Sequence, residues 1–480
     1  MVIGAGPAGL TAAWEVARQD TSVTVVEKYH LVGGIARTEQ HKGYFFDIGG
    51  HRFFTKVKEL QTLWSEWMGD EFLLRPRKSR IFYNGKFFYY PLRAFNALFG
   101  LGLWESTRII FSYLYMTVRP YAEELTFEQW VSNRFGKRLY EIFFKTYTEK
   151  VWGIPCNEIR AEWAAQRIKG LSLPTAVRNA LFPPKGPIIK TLIDEFYYPV
   201  RGPGMMWERV TELVRARGGR VHLKSEALKV LRDGHRVTGV VVCDEYGERT
   251  VTATDVISTM PLSELIVRFD PLPPPDVVDA ALQLAYRDFM TVVLIVEEPD
   301  LFPDNWIYIH SPDVKVGRIQ NFKNWSSHMV PDPTKTSLGL EYFCNEGDDL
   351  WNMSDEDLIS LAKREIVEIG ITRAETIADG VVVRQHKAYP VYNSLYDNLL
   401  QVIKNWLTGL ENFHTVGRNG LHKYNNQDHS MLTAILAVRN ILQGEKHDVW
   451  EVNTERSYHE EVQLKPEVVR KDPPVDILAA

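Results

Sequence analysis

The stretch MVIGAGPAGLTAAWEVARQDTSVTVVEK, residues 1–28, decides the fold. It contains a short apolar strand, a turn with Gly4, Gly6 and Gly9, a helix with an apolar stripe, and a second strand that ends at Glu27. Glycines in this G-x-G-x-x-G spacing let backbone N–H groups approach a pyrophosphate at the N-terminus of the helix. A carboxylate at the end of the second strand accepts hydrogen bonds from ribose hydroxyls. The stretch therefore predicts an α/β fold of the Rossmann type that binds a dinucleotide.

A second glycine pair extends the same ligand groove. Gly33 and Gly34 follow the acidic residue closely, and Arg37 comes shortly after them. Flavoproteins of the amine-oxidase and glutathione-reductase class are similar, because they place a second glycine pair and an arginine along FAD. This resemblance favours FAD over NAD as the dinucleotide, and it implies that Gly34 and Arg37 contact the cofactor.

A histidine stands directly behind a third glycine pair. In FDIGGHRFF, residues 46–54, His51 follows Gly49 and Gly50. Glycines permit a close approach of the backbone and a change in its direction. The pattern therefore presents an imidazole to whatever binds beside this loop.

Composition and charge limit the classes of function. The chain has 480 residues, enough for two or three domains, and its 45% hydrophobic and 24% charged residues are typical of globular proteins. The formal net charge of −5 argues against a general nucleic-acid binder, so any anion site must be local. The three cysteines, Cys156, Cys243 and Cys344, form no CxxC pair. This predicts inert thiols, no metal site and a reducing cytoplasm.

The most apolar segment is AFNALFGLGLWESTRIIFSYLYMTV, residues 94–118. Glu105 and Arg108 interrupt it, so we predict no transmembrane span here. The periodicity predicts a buried amphipathic helix pair. Contact with the face of a membrane is the alternative.

The remaining pattern predicts an FAD-binding, Rossmann-like domain of the glutathione-reductase type with inserted helical and antiparallel-sheet substrate domains. Asn84–Gly85 is a strong signal for a hairpin turn near the start of the sheet-rich part. The predicted boundaries are 1–75, 206–265 and 405–446 for the discontinuous FAD-binding domain, 94–205 for the helical substrate domain, 76–93 and 266–404 for the sheet-rich substrate domain, and 447–480 for a C-terminal tail.

The most specific stretch is GRNGLHKYNNQDHSMLTAILAVRNIL, residues 417–442. It predicts a strand end at Gly417–Arg418, a polar loop and a helix capped by Asp428 or Ser430. The N-terminus of that helix would face a phosphate or the flavin. Here the sequence resembles the UDP-galactopyranose mutases, especially their eukaryotic-type branch. The resemblance lies in Gly417-Arg418, His422-Lys423-Tyr424 and Asn426-Gln427-Asp428-His429-Ser430.

The resemblance runs almost from end to end of the chain. It includes Gly-Gly-His at residues 49–51, YTEKVWGIP at 147–155 and PVRGPGMMW at 199–207. Some of these motifs recur in the wider superfamily of amine oxidases and protoporphyrinogen oxidases. Besides the glycines and Glu27 of the first motif, the resemblance implies FAD contacts from Gly34, Arg37, Gly50, His51, Gly417, Arg418, Gln427 and Ser430.

UDP-galactopyranose mutases interconvert the pyranose and furanose rings of a nucleotide sugar. The resemblance implies that reduced FAD attacks the anomeric carbon through N5 and expels the nucleotide diphosphate, which later returns. The reduced flavin would be the active form, and NAD(P)H is a candidate external reductant. The sequence leaves the oligomeric state open, and a homo-oligomer is among the states it allows.

The resemblance also assigns the substrate contacts. Arg167 and Arg318 match arginines that hold the diphosphate, a task that suits guanidinium forks. These two and His51, which would lie beside flavin N5, form the predicted catalytic set. The remaining predicted substrate contacts are Tyr90, Trp152, Tyr389, Tyr424 and Asn426.

Two positions depart from the family pattern. The family has a glutamine two residues after the Tyr-Pro of the pocket, where this chain reads Tyr90-Pro91-Leu92-Arg93, and Thr148 stands where the family has an asparagine. Both are uridine contacts by resemblance, so the base and the sugar stay open. The alternative function is an FAD-dependent oxidase or dehydrogenase of the amine-oxidase or protoporphyrinogen-oxidase type. A flavoprotein with a regulatory site is a third, non-enzymatic hypothesis.

Overall fold

A five-stranded parallel sheet, here called the dinucleotide sheet, forms around the first strand of the chain. A computed structural model describes residues 1–90, 92, 94–161, 189–190, 194–453 and 462–463. All of the pairings in this sheet are parallel. In spatial order its strands are Arg220–His222, Thr24–Val26, Val2–Ile3, Val256–Ser258 and Phe413–Thr415.

Successive side chains along these short strands point to opposite faces of the dinucleotide sheet, and both faces are buried. Val2 and Ile257 belong to an apolar cluster on one face, and Ile3 and Val256 belong to a cluster on the other. Burial on both faces is typical of a parallel sheet. Four helices cover the first face: Pro7–Ala17, Lys58–Met68, Pro203–Ala216 and Gln427–Gln443.

The second face is covered by a smaller sheet and by helices. The strands of this four-stranded sheet are, in order, Gly247–Val251, Arg236–Asp244, Glu226–Asp233 and Phe269–Asp270. The helices that belong to the same apolar cluster are Leu262–Leu265, Pro275–Leu282 and Tyr396–Thr408.

A seven-stranded sheet, here called the central sheet, forms the second large unit. It is antiparallel except where Trp306–Ile309 pairs with Ser79–Tyr83. The helix Asp355–Glu368 packs against one of its faces. In spatial order the strands are Ile377–Pro390, Tyr286–Val296, Thr336–Cys344, Arg318–Asn321, Trp306–Ile309, Ser79–Tyr83 and Lys86–Tyr89.

The other face of the central sheet packs in part against a helical segment. Its helices are Ala94–Leu101, Leu103–Val118, Phe127–Phe135, Lys137–Tyr140, the π-helical Glu141–Lys145 and Thr146–Trp152. The other strands of the described residues form three two-stranded ribbons: Thr38–His41 with Tyr44–Asp47, Phe72–Pro76 with Glu195–Pro199, and Ile189–Lys190 with Val462–Gln463. The remaining helical turns are Gly34–Ala36, Gly69–Glu71, Ile266–Arg268, Phe322–Trp325, Ser327–Met329, Ala374–Thr376, Gly417–Gly420 and Val449–Glu451.

The predicted fold class is confirmed: the chain has an α/β dinucleotide-binding fold combined with helices and an antiparallel sheet. The segments 1–75, 206–265 and 405–446 all contribute strands to the dinucleotide sheet. The domain boundaries themselves stay a prediction. The predicted hairpin is present, and Asn84 and Gly85 both have positive φ, 48° and 73°, as a two-residue hairpin turn requires.

Two expectations were wrong. The helix Gln427–Gln443 is preceded by Asn426 as its N-cap residue rather than Asp428 or Ser430, because the helix starts earlier than its apolar stripe. The predicted buried helix pair over 94–118 instead exposes many of its large apolar side chains. Among the described residues, no helix is long and apolar enough to cross a membrane.

A buried carboxyl group ties the first ribbon to the start of the helix Pro203–Ala216. Asp47 accepts hydrogen bonds from the Tyr198 hydroxyl at 2.5 Å and from the Thr38 hydroxyl at 3.0 Å. The Thr38 hydroxyl in turn accepts a bond from the backbone N–H of Gly204 at 2.9 Å. Burial raises the pKa of Asp47 from 3.8 to about 7, although both hydrogen bonds act in the opposite direction.

This shift predicts a pH dependence of stability. The folded chain binds the Asp47 proton more tightly than the unfolded chain does. As the pH rises from about 4 to about 7, the contribution of Asp47 to the free energy of unfolding therefore falls. Asp47→Asn removes the titration and should flatten the profile in that window. Denaturant unfolding of both proteins across the window measures the difference, and parallel profiles would contradict the assignment.

Candidate functional site

The first glycine turn lies where the strand Val2–Ile3 ends. Gly4 has a φ of 97°, and a Cβ atom there would lie 2.1 Å from the Thr259 hydroxyl oxygen. A Cβ atom on Gly9 would lie 1.9 Å from the Gly4 carbonyl oxygen. The helix that follows begins at Pro7 and has no side-chain cap. Its first-turn N–H groups are therefore available to an anion.

Glu27, the predicted ribose ligand, follows the strand Thr24–Val26 and contacts the first glycine turn. One carboxylate oxygen of Glu27 accepts a hydrogen bond from the N–H of Ala5 at 2.8 Å. The other accepts one from the N–H of Tyr29 at 2.9 Å. The carboxylate is thus fixed beside the glycine turn, as a ribose contact requires.

The second glycine pair touches the first turn. A Cβ atom on Gly34 would lie 3.2 Å from the Gly6 Cα atom. Arg37 is buried and donates hydrogen bonds to the Gly34 carbonyl at 3.0 Å, to Glu39 at 2.6 Å and to the Gln385 side chain at 2.6 Å. Arg37 therefore fixes the second turn to the strand Ile377–Pro390 of the central sheet. A direct contact between Arg37 and the cofactor stays a prediction.

The loop with His51 passes close to the central sheet. Gly49 has a φ of 95°, and a Cβ atom on Gly50 would lie 2.9 Å from the side-chain nitrogen of Gln320. Burial lowers the pKa of His51 to about 3, and the charges of Arg418 and Arg318 act in the same direction. The imidazole is therefore neutral, and its buried Nδ1 atom has no hydrogen-bond partner among the described residues.

Arg318 is held by a buried carboxylate. Arg318 and Glu341 are opposite each other on neighbouring strands, and Nε and Nη2 of the arginine both lie 2.5 Å from one Glu341 oxygen. The other Glu341 oxygen accepts a bond from Gln320 at 2.8 Å. Burial alone would lower the pKa of Arg318, but Glu341 raises it well above its ordinary value. Neither contact to Glu341 uses Nη1, so the fork is fixed in direction and retains donors.

Two predicted substrate tyrosines stack beside a second arginine. The rings of Tyr389 and Tyr424 are 5.7 Å apart and nearly parallel, at 23°. The Arg418 guanidinium lies over both rings, 5.0 Å from Tyr389 and 4.2 Å from Tyr424. It donates to the Ala388 and Asn425 carbonyls at 2.9 and 3.1 Å. The ring of Trp152, another predicted substrate contact, lies 6.0 Å from the ring of Tyr424.

A further aromatic group lies near Arg318 on the hairpin side of the central sheet. Tyr90 packs 4.9 Å from Tyr308, which lies 5.3 Å from Tyr147. The Arg77 guanidinium lies 5.3 Å from the Tyr90 ring and 5.5 Å from the Trp306 ring. The structure thus adds a cation and several rings to the predicted pocket.

Several of these residues, among them Tyr308 and Glu341, were not predicted from the sequence. Strand pairing is the signal that could have identified them. Tyr308 is opposite Arg318 on one side, and Glu341 is opposite it on the other. Residues opposite each other on paired strands share a face of the sheet. The order of the strands had to be known before this relation could be used.

The other predicted contacts are distributed around the last helix. The Gln427 side-chain oxygen accepts a bond from the Trp207 indole N–H at 3.0 Å, which joins two helices of the dinucleotide fold. Ser430 is buried, and Asn426 is exposed at the helix start. A Cβ atom on Gly417 would lie 2.8 Å from Ala8. Arg167 lies outside the described residues.

These features fit an extended dinucleotide with a redox-active ring. The glycine turns and the uncapped helix suit a pyrophosphate, and Glu27 suits a ribose. At the other end, His51 offers an unpartnered ring nitrogen beside two arginines. Among the described residues, no group of three or more His, Cys, Asp or Glu side chains could hold a metal ion.

The fold and this arrangement define a flavoprotein of the FAD-dependent oxidoreductase type. The family described as flavin containing amine oxidoreductase matches residues 7–419, and the chain belongs to that family. Membership implies FAD as the cofactor.

Two kinds of similarity confirm the resemblance to UDP-galactopyranose mutases. The chain is 29% identical over 169 residues to a Klebsiella pneumoniae protein named "Probable UDP-galactopyranose mutase". That match spans 34% of this chain and 42% of the relative. The crystal structure of a reduced UDP-galactopyranose mutase superposes with a TM-score of 0.82 at 22% identity, covering 94% of this chain and 97% of that one. Wild-type putrescine oxidase bound to putrescine superposes with a TM-score of 0.60 at 17% identity, covering 92% and 98%.

A matched pair of glycine substitutions tests the predicted cofactor cradle. Gly4→Ala should abolish or strongly reduce bound flavin, because the new Cβ atom would meet Thr259 at 2.1 Å. Gly247→Ala is the control, since Gly247 has a similar φ of 103° but open space around it. The ratio of flavin absorbance to protein after purification measures the effect. Equal flavin content in the two variants would contradict the predicted cradle.

Proposed function

We propose that the chain is an FAD-dependent nucleotide-sugar mutase that interconverts pyranose and furanose rings, as UDP-galactopyranose mutases do. The observation that carries the proposal is the fixed guanidinium of Arg318 beside the His51 loop, with Arg418 near the same imidazole. Two arginines at the predicted flavin ring suit a substrate that carries a diphosphate. NAD(P)H is the proposed source of electrons for the flavin.

In this proposal Arg318 binds the diphosphate while negative charge develops on it. Glu341 fixes the direction of the fork, so little conformational entropy is lost when the substrate binds. Burial raises the pKa of Tyr389, so its hydroxyl stays protonated and can donate a hydrogen bond to a phosphate oxygen. Tyr424, stacked on Tyr389, and the predicted contacts Arg167 and Asn426 join it, and Tyr90 and Trp152 are the remaining predicted substrate contacts.

Bound FAD, when reduced, would supply the nucleophilic N5 for the anomeric carbon. The neutral His51 imidazole can accept a hydrogen bond at Nδ1, because burial, together with the charges of Arg418 and Arg318, disfavours its protonated form. The glycines before His51 let the loop adjust its backbone. His51 would therefore accept a hydrogen bond from the neighbouring flavin N–H and orient it.

The stacked pair Tyr389 and Tyr424 is the observation that favours a second candidate. An aromatic pair beside a flavin suits an oxidase of the amine-oxidase type, because aromatic faces attract an ammonium group. Here, however, the Arg418 guanidinium already lies 4.2 and 5.0 Å from the two rings. Arg318 lies near the same place, where Glu341 balances its charge, so the Arg418 charge is the one that an ammonium group would meet. An ammonium substrate would be repelled, so the mutase is the better-supported proposal.

Arg318→Lys tests the role of the fork. Lysine keeps a positive charge beside Glu341 but loses the planar pair of donors, so turnover of a nucleotide sugar should fall by about tenfold to over a hundredfold. The control is Arg80→Lys, because Arg80 pairs with Asp304 at 2.6 Å in the same sheet. Its strand alternation places it on the opposite face from Arg318.

The assay uses the dithionite-reduced holoenzyme and a panel of nucleotide sugars with oxygen-18 between the anomeric carbon and the β-phosphorus. Movement of the label to a non-bridging position reports expulsion and return of the diphosphate. The proposal expects this exchange only with reduced enzyme, and Arg318→Lys should slow it while flavin content stays unchanged. Label that never moves, together with hydrogen peroxide release from an amine or a porphyrinogen, would establish the oxidase instead.

A further inference from the structure

One helix of the fold carries its apolar side chains on the outside. In Leu103–Val118, the large apolar side chains that stay exposed form a set here called the outer stripe. Its members are Leu103 at 84% exposure, Trp104 at 78%, Ile110 at 47%, Phe111 at 67%, Leu114 at 52%, Tyr115 at 59% and Val118 at 80%. At 3.6 residues per turn, they fall within an arc of about 140° on one side of the helix.

The side of this helix that faces the protein is the more polar one. Ser106 is buried, and its hydroxyl donates to the Leu98 carbonyl at 2.6 Å. The Ser112 hydroxyl accepts a bond from the N–H of Arg138 at 3.0 Å. Only Ile109 and Met116 add buried apolar side chains from this helix. The apolar face of this amphipathic helix therefore points away from the protein and its more polar face points inward. An exposed apolar face of this kind is typical of an interaction surface.

Neighbouring residues enlarge the apolar surface. Phe99 on the preceding helix is 76% exposed, and Tyr89 at the end of the hairpin is 51% exposed. Aromatic side chains thus make up a large share of the surface. Tyrosine and tryptophan, here Tyr89, Trp104 and Tyr115, suit the boundary between lipid head groups and acyl chains, because each has an apolar ring and one polar group.

The charge around the outer stripe differs in sign from that of the chain. Among the described residues of 86–119, Lys86, Arg108 and Arg119 stand against Glu105 alone, so three positive charges and one negative charge give +2. The whole chain carries −5. Glu105 is engaged by Arg138 and Arg108. At 100° per residue, Arg108 and Arg119 lie along one border of the stripe, about 20–40° beyond its last apolar side chain.

From these observations we propose that the outer stripe binds flat on the surface of a bilayer that contains anionic lipids. The apolar side chains enter the interface, and Arg108 and Arg119 contact the head groups at its border. A second copy of the chain is a less suitable occupant. A two-fold contact through the stripe would bring each copy's cationic segment against its own counterpart, whereas anionic head groups neutralise it. The proposal is independent of the reaction that the chain catalyses.

Flotation of the flavin-loaded chain with lipid vesicles tests the proposal. The protein should float with mixed phosphatidylcholine–phosphatidylglycerol vesicles and less well with phosphatidylcholine alone. Replacing Phe111, Leu114 and Val118 together by glutamine should reduce partitioning at least about a hundredfold, because three large apolar side chains no longer enter the interface. Arg108→Gln with Arg119→Gln should reduce it about 25-fold on the mixed vesicles, about fivefold for each arginine.

Matched variants separate the stripe from general surface effects. Tyr246, Leu272 and Leu282 are 88%, 59% and 63% exposed on other parts of the chain, and their replacement by glutamine should leave flotation unchanged. Arg236→Gln with Arg373→Gln is the charge control, since both are exposed arginines elsewhere. Flavin content checks that each variant folds.

Three results would overturn the proposal. The wild-type chain could stay with the unbound fraction at every lipid concentration, or the Phe111, Leu114 and Val118 variant could float as the wild type does. The third result is a dimer in sedimentation velocity that this variant converts to a monomer. That dimer would assign the outer stripe to a second copy of the chain.

Discussion

Close contacts made by glycines position the turns that surround the candidate site. A Cβ atom on Gly34 would lie 3.2 Å from the Gly6 Cα atom, so the first two glycine turns are in close contact, and Gly50 lies against Gln320 of the central sheet. A methyl group on Gly4 would lie 2.1 Å from the Thr259 hydroxyl oxygen, and one on Gly50 would lie 2.9 Å from the Gln320 side-chain nitrogen, so either would require the structure to shift. The position of the first helix, the second turn and the His51 loop all follow from these contacts. The candidate site is the place where these turns meet the central sheet.

The electrostatics of this junction follow from a small number of buried charges. Glu341 neutralises and orients Arg318, while Arg418 is held by backbone carbonyls and two aromatic faces. The described surroundings of His51 therefore carry a positive excess, which adds to the effect of burial in keeping the imidazole neutral. A buried excess of one sign is costly without a counter-ion. An anionic ligand would relieve this cost, and a cationic ligand would add to it.

The parts of the fold that were predictable from the sequence are those set by local chemistry. The glycine turn with its strand and acid, and the Asn84–Gly85 hairpin, depend on residues that are neighbours in the chain. Glu341 and Tyr308 meet Arg318 only through the register of three strands, which no local pattern encodes. The helix 103–118 shows another limit. Periodicity gives the width of an apolar face, but it does not say whether that face turns inward.

The two halves of the proposed substrate pocket differ in how much they can discriminate. Around Arg318 and Tyr389, binding depends on charge-assisted hydrogen bonds with fixed directions, which select strongly for a diphosphate. Toward Trp152, the described residues are mostly aromatic or apolar, with Thr148 buried and Leu92 packed in the same cluster. Stacking contributes binding energy for any base, whereas discrimination between bases requires donors and acceptors at their edges. On the proposed function, the chain therefore selects its substrate by the diphosphate more than by the base.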